Sequence, residues 1–211
     1  MPAGNASLRS VLETSPVIPV IVLDDVDLAV PLAEALVAGG LPILEVTLRT
    51  PNAMAVMKAM MTVSGAIVGA GTVLTPDQAR ASADLGCQFL VSPGSAPALL
   101  DAVEALASPL LPGAATPSEA MLGLERGYVF QKFFPAEAMG GVPVLKAFAA
   151  PLPQVRFCPT GGIDAEKAKS YLALPSVICV GGSWIMPANA MESRDFGRIR
   201  DLAKTASQLT R

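Results

Sequence analysis

Short apolar runs recur along this chain, each followed by turn residues and then by a longer Ala/Leu-rich stretch with helical spacing. The runs are Val17–Leu23, Ile43–Leu48, Ile67–Ala70, Gln88–Ser92, Pro109–Leu111, Val129–Phe133, Val155–Pro159 and Val177–Val180. Their starts are spaced on average by about 23 residues, the length of a strand, two turns and a helix. Short strands alternating with helices predict βαβ units and a parallel sheet. Eight such units fit a closed (β/α)8 TIM barrel better than an open doubly wound sheet of five or six strands. The continuous apolar runs also suit strands that are covered on both sides.

The helix starts are signalled too. Thr50-Pro51, Thr75-Pro76 and Thr116-Pro117 each offer a hydroxyl N-cap with proline at the first helical position. Gln78 and Glu119 stand three residues after their threonines and complete capping boxes. Pro112-Gly113 is expected to end the very short fifth strand. An extra helix, Ala6 to Thr14, is expected outside the barrel, and a terminal helix with a frayed end over Ser193 to Arg211. No linker or low-complexity segment divides the sequence, so residues 1–211 read as one domain.

Period-two alternation then singles out two strands. In Ile43–Arg49, Leu44, Val46 and Leu48 form one aliphatic face; the other carries Ile43, Glu45, Thr47 and Arg49. An acid and a base facing a barrel interior are costly unless they pair or work. A buried pair that only fixes register is the structural alternative. Both lie at the C-terminal end of the strand, where barrel enzymes put their chemistry. In Val129–Pro135, Phe130, Lys132 and Phe134 share a face. Desolvation among aromatic rings favours the neutral amine, the form that attacks a carbonyl to make a Schiff base. The plainer reading is a lysine snorkelling at a strand end. The other five lysines, Lys58, Lys146, Lys167, Lys169 and Lys204, stand in helical or polar contexts and read as solvated.

Glycines mark an anion site. Thr160-Gly161-Gly162 follows the seventh strand and Gly181-Gly182-Ser183 the eighth. Glycine lets backbone N–H groups converge on an anion, and barrels often hold phosphate with these two loops. Gly69-Ala70-Gly71 lacks the third glycine of a dinucleotide fingerprint and reads as a turn that carries Thr72 into the mouth. Ser92-Pro93-Gly94 suits either a pocket wall or a plain turn, and the methionines Met54, Met57, Met60 and Met61 read as core filler.

Composition narrows the chemistry. Apolar residues make up 52% of the chain and charged residues 16%, ample for a large core. With 15 basic and 18 acidic side chains the net charge is −3, a poor balance for a nucleic-acid partner. There is no histidine, so a Ser-His-Asp triad, an HExxH zinc site and imidazole acid–base catalysis are all excluded. Cys87, Cys158 and Cys179 form no CxxC pair and read as buried thiols in a reducing cytoplasm. No metal site is expected. Met1 to Ser10 lacks an apolar signal-peptide core, and the longest strand-like apolar run is far short of the ~20 residues of a membrane helix.

The strings LEVTLRT, VGAGTVL, SPG, KFFPAE, RFCPTGGI and GGSW occur in this order at successive strand ends. Together they resemble the bacterial 2-keto-3-deoxy-6-phosphogluconate (KDPG) and 4-hydroxy-2-oxoglutarate (KHG) aldolase family, from about Thr14 to the C-terminal helix. The resemblance implies a class I aldolase on a (β/α)8 barrel, a homotrimer that needs no cofactor or metal. It implies cleavage of KDPG to pyruvate and glyceraldehyde 3-phosphate in the Entner–Doudoroff pathway, and of KHG to pyruvate and glyoxylate. Carried over by motif, Lys132 is the Schiff-base residue and Glu45 the general acid/base. Arg49 binds the pyruvyl carboxylate, Thr72 contacts the same portion, and Pro93 and Phe134 line the pocket. Thr160 lies near the substrate, while Gly161, Gly162, Gly182 and Ser183 hold the phosphate. A related aldolase for the phosphogalactonate epimer, an epimerase on a phosphate-binding barrel and a catalytically dead metabolite-binding barrel are the competing readings.

Overall fold

In the computed structural model, residues 5–210 are described, with side-chain surroundings from Ala6 onward. Helix α1 (Asn5–Glu13) comes first, near the expected Ala6–Thr14. Strands β1 (Val17–Ile21), β2 (Ile43–Thr47), β3 (Ile67–Gly71) and β4 (Phe89–Val91) then alternate with α2 (Ala29–Ala38), α3 (Ala53–Met60) and α4 (Pro76–Leu85). After α5 (Pro97–Val103) come two strand fragments, β5 (Leu110–Leu111) and β6 (Gly113–Ala114). The chain continues through α6 (Pro117–Glu125), β7 (Phe130–Phe133), α7 (Gly141–Ala149), β8 (Arg156–Pro159), α8 (Ala165–Leu172) and β9 (Val180–Gly182). It closes with α9 (Ala188–Glu192) and α10 (Phe196–Ser207). The last residue of the expected terminal helix, Arg211, lies outside the described residues.

The result is an α/β fold with a curled, wholly parallel sheet. The ladder runs β5-β4-β3-β2-β1-β9 in one sheet and β6-β7-β8 in another. Single parallel bridges, Phe157 to Val177 and Thr160 to Gly181, link the β8 segment to the β9 segment.

The period-two reading of the strands appears as two separate cores. Leu44, Val46, Val68, Ala70, Leu90, Phe133 and Phe157 point outward and pack with the helices. Ile18, Ile43, Phe89, Val91, Leu111, Phe130 and Cys158 point inward and pack with one another. Leu8 and Leu12 of α1 join the inner core, and the Arg9 guanidinium lies 5.4 Å from the Phe130 ring centre. Phe130 opens β7, so α1 sits against the N-terminal end of the sheet's inner face.

The caps at Thr75 and Thr116 form as reciprocal capping boxes. Thr50 does not cap: α3 begins at Ala53, and the Thr50 hydroxyl donates instead to the Leu23 carbonyl, 2.8 Å away, tying two strand-end loops together. The fifth strand, Leu110–Leu111, ends at Pro112 as expected from the sequence, but the chain resumes pairing at once as Gly113–Ala114. Proline lacks the N–H for a continuous ladder, so the segment splits there. Leu110–Leu111 pairs with β4, and Gly113–Ala114 pairs with β7. The eighth strand starts later than expected, at Val180, because Val177 makes only an isolated bridge. All three cysteines are buried, and burial pushes the Cys87 thiol up to about 12. Among the described residues no helix is long and apolar enough to cross a membrane.

Candidate active site

The C-terminal ends of β2 and β7 bring together the two charged positions singled out by alternation. The Lys132 Nζ donates to Glu45 Oε1 across 3.0 Å, and each side chain is only 4% exposed. Both belong to the inward face: Glu45 follows Ile43 by two, and Lys132 follows Phe130 by two. The ammonium nitrogen stands 5.3 Å from the centre of the Phe134 ring, so the aromatic wall expected from the sequence is present on that side. Lys132 therefore has both a carboxylate partner and a ring face.

Neighbouring strands are shaped around this pair. Gly69 and Gly71 occupy inward positions of β3, where a side chain would otherwise project. A Cβ on Gly71 would stand 2.5 Å from Glu45 Oε1, and one on Gly69 would strike the Phe89 ring at 2.4 Å. The glycines of the GAG string thus make room for Glu45 and Phe89 rather than cradling a nucleotide. The turn after Gly71 forces Thr72 to φ +57°, a conformation that is costly for a β-branched residue. That backbone aims the Thr72 hydroxyl at Arg49, whose Nε donates to it across 3.0 Å.

A cleft opens beside the pair. Val20, Val22, Arg49, Phe134, Thr160, Gly161, Gly162, Ile163, Gly181, Gly182 and Ser183 line it. Val20 is the register partner of Glu45 on β1, which fixes the cleft next to the acid. Arg49 reaches it exposed, while Thr160 is buried. A Cβ on Gly181 would come within 2.3 Å of Thr160 Oγ1, so glycine there admits the threonine. Gly161 and Gly162 hold φ of +106° and +76°, a left-handed pair that suits glycine. Both glycine loops therefore meet in one cleft, which Arg49 also lines.

Of the residues expected from the sequence, Arg49, Phe134, Thr160, Gly161, Gly162, Gly182 and Ser183 share this cleft, and Thr72 joins it through Arg49. Lys132 and Glu45 lie buried beside it. Pro93 lies against Gly113, whose register partner is Lys132, rather than among the cleft's lining residues. Among the described residues no group of His, Cys, Asp or Glu side chains has metal-binding geometry.

Sequence reasoning missed a second cluster behind the glycine loop. Glu137, in the same KFFPAE string as Lys132, accepts from the Tyr171 hydroxyl at 2.6 Å and pairs with the Lys167 ammonium at 2.8 Å. Those two bonds hold its carboxyl below the usual range, and Lys167 is raised in return, chiefly by the bond to Glu137. Lys167 had read as solvated; its exposed flank gave no signal of the partner arriving from another loop.

A parallel α/β sheet with a buried lysine–glutamate pair at its C-terminal mouth is the setting of an aldolase, a carbon–carbon lyase. The family model described as aldolase, KDPG and KHG aldolase, matches residues 8–202, and the chain belongs to that family. A KHG/KDPG aldolase of Escherichia coli K12 is 53% identical over 201 residues, covering 95% of this chain and 94% of its own. The solved structure of the KDPG aldolase of Zymomonas mobilis ZM4 with 3-phosphoglycerate is 50% identical, with a TM-score of 0.92 over 96% of this chain and 95% of that one. The KDPG aldolase of Legionella pneumophila, solved with pyruvate captured as a covalent carbinolamine, is 48% identical with a TM-score of 0.92, covering 95% and 98%.

Proposed function

We propose that this chain is a class I aldolase that cleaves KDPG to pyruvate and glyceraldehyde 3-phosphate, and KHG to pyruvate and glyoxylate. The observation that carries the reading is the buried Lys132–Glu45 contact of 3.0 Å beside a cleft with an arginine and two glycine loops.

Lys132 Nζ, its proton passed to Glu45, attacks the C2 ketone and forms a carbinolamine. Glu45 gives that proton to the carbinolamine hydroxyl, which leaves as water; a protonated imine remains, which draws electrons from the C3–C4 bond, and Glu45 is a carboxylate again. Glu45, directly or through a water, takes the C4 hydroxyl proton as that bond breaks. Glyceraldehyde 3-phosphate leaves, and the electron pair stays as an enamine of pyruvate. A proton returned to C3 restores the imine, and water releases pyruvate from Lys132. Arg49 holds the carboxylate with help from Thr72. Phe134 and Pro93 wall the pyruvyl end, and Thr160 lies against the bound chain. Gly161, Gly162, Gly182 and Ser183 receive the phosphate. The cleft holds both the positive charge of Arg49 and the two glycine loops, two kinds of anion-binding group, which suits a substrate with an anion at each end.

In the same reading the two sheets are one (β/α)8 barrel with α1 as an extra helix at its N-terminal end, and residues 1–211 make one domain. The split at Pro112 and the bridges from Phe157 and Thr160 support closure. The enzyme works as a cytoplasmic homotrimer in sugar-acid catabolism, the Entner–Doudoroff route, without a metal or cofactor. Exposed Leu74 and Met121 are apolar surface of the kind a subunit contact covers. The test is pyruvate release from KDPG and from KHG by purified protein with a chelator present. Turnover of both, unaffected by the chelator, is expected; no release from either substrate would overturn the reading.

A further inference from the structure

The Glu137 cluster is bonded to the backbone of the glycine loop. The Ala136 N–H donates to the Thr160 carbonyl at 2.8 Å, and the Glu137 N–H to the Gly161 carbonyl at 3.1 Å. The Lys167 ammonium, held by Glu137, donates to the Gly162 carbonyl at 3.1 Å. Three successive carbonyls are thus drawn toward one side. In a trans peptide the C=O and the following N–H point in opposite directions. Drawing back the carbonyls of Gly161 and Gly162 therefore turns the N–H groups of Gly162 and Ile163 away from the cluster. Both residues line the cleft. The stem of Glu137 fills the remaining space: a Cβ on Gly162 would stand 2.9 Å from the Glu137 Cβ and Cγ. Asp164, the N-cap of α8, accepts from the Glu166 and Lys167 backbone N–H groups and so anchors the helix that carries Lys167. Tyr171, one turn further along α8, is buried and fixes the carboxylate from behind.

We propose that Glu137 and Lys167, braced by Tyr171, are positioning residues for the phosphate end of the substrate. They hold Gly161 and Gly162 in the left-handed conformation that aims the loop's N–H groups at an anion. The inference rests on the aldolase reading above and deepens it. The cluster touches neither Lys132 nor Glu45, so its removal loosens one end of the site and leaves the imine chemistry intact.

The experiment compares the full-length enzyme with Lys167→Met, Lys167→Arg and Glu137→Gln. Each is assayed for kcat and KM with KDPG, which carries a phosphate, and KHG, which does not, and for borohydride-trapped pyruvate. Lys167 is 46% exposed on its side chain, so its loss leaves the fold in place even if the Glu137 variant fails to fold. Lys167→Met is expected to raise KM for KDPG about tenfold, with KHG kinetics within about twofold of wild type and full trapping. Lys167→Arg, which keeps the charge, is expected to recover part of the loss. Equal changes toward both substrates, or no change toward KDPG, would overturn the proposal. Absence of trapping in the wild-type enzyme would instead remove the aldolase reading beneath it.

Discussion

Two of the lysine–glutamate pairs in this molecule, Lys132–Glu45 and Lys167–Glu137, differ in almost every respect except composition. Lys132–Glu45 is closed off from water, with each side chain 4% exposed; Lys167–Glu137 is 46% and 31% exposed. The first joins two strands of the inner face, 87 residues apart in sequence. The second joins a loop to a helix and also grips a carbonyl. Burying two charges forfeits hydration that their mutual attraction rarely repays, so a buried pair is weak evidence for stability and stronger evidence for chemistry. A half-exposed pair is cheap to form and contributes geometry more than energy. The buried pair is where bonds would change, and the exposed pair is where the scaffold around the substrate would be set.

The widest separation between the two comes from removing each lysine in turn. Lys132→Met is expected to lower turnover by more than about 10⁴-fold, as loss of a covalent nucleophile does. It also strands a buried carboxylate, at a cost of about 3–5 kcal/mol in urea unfolding. Lys167→Met should leave the urea midpoint close to that of wild type. Similar destabilisation by both would dissolve the contrast. Next in size, Glu45→Gln is expected to slow cleavage by about 10²–10⁴-fold while keeping most of the borohydride-trappable imine, since the amine remains and the proton carrier is gone. Normal cleavage in that variant would take the acid–base role away from Glu45.

A smaller effect probes the space around the buried pair. Gly71→Ala places a methyl 2.5 Å from Glu45 Oε1 and must move the carboxylate. A drop in kcat of about tenfold or more is expected, with little loss of secondary structure by circular dichroism. Unchanged kcat would mean that the acid's position is not critical. Smallest of all, Thr75→Ala removes the hydroxyl that caps α4 by accepting from the Gln78 N–H and bonds to neither pair. It should reduce stability by about 1 kcal/mol in the same urea assay and leave both substrates' kinetics untouched.

The inner site was legible because strand periodicity is local. A reader of Ile43–Arg49 and Val129–Pro135 can assign inward faces by counting in twos, and Glu45 and Lys132 fall on them. The capping boxes at Thr75 and Thr116 were legible for the same reason, each being complete within four residues. Thr50 has the same Thr-Pro signature but lacks Gln or Glu three residues on, and its hydroxyl is taken by the Leu23 carbonyl from another loop. Pro112 marks the end of Leu110–Leu111 in the sequence, but nothing local reveals that Gly113–Ala114 resumes the ladder against a different neighbour. The Glu137 cluster was hidden more deeply. Its parts come from the segment after β7, the loop after β8 and helix α8, and no short-range pattern links Glu137 to Lys167 and Tyr171.

The central claim is that Lys132 forms the imine. Incubating the protein with pyruvate, adding borohydride and mapping the adduct by peptide mass spectrometry tests it directly. The account predicts a single reduced pyruvyl adduct on Lys132. A folded protein with no adduct, or with the adduct on another lysine, would contradict it.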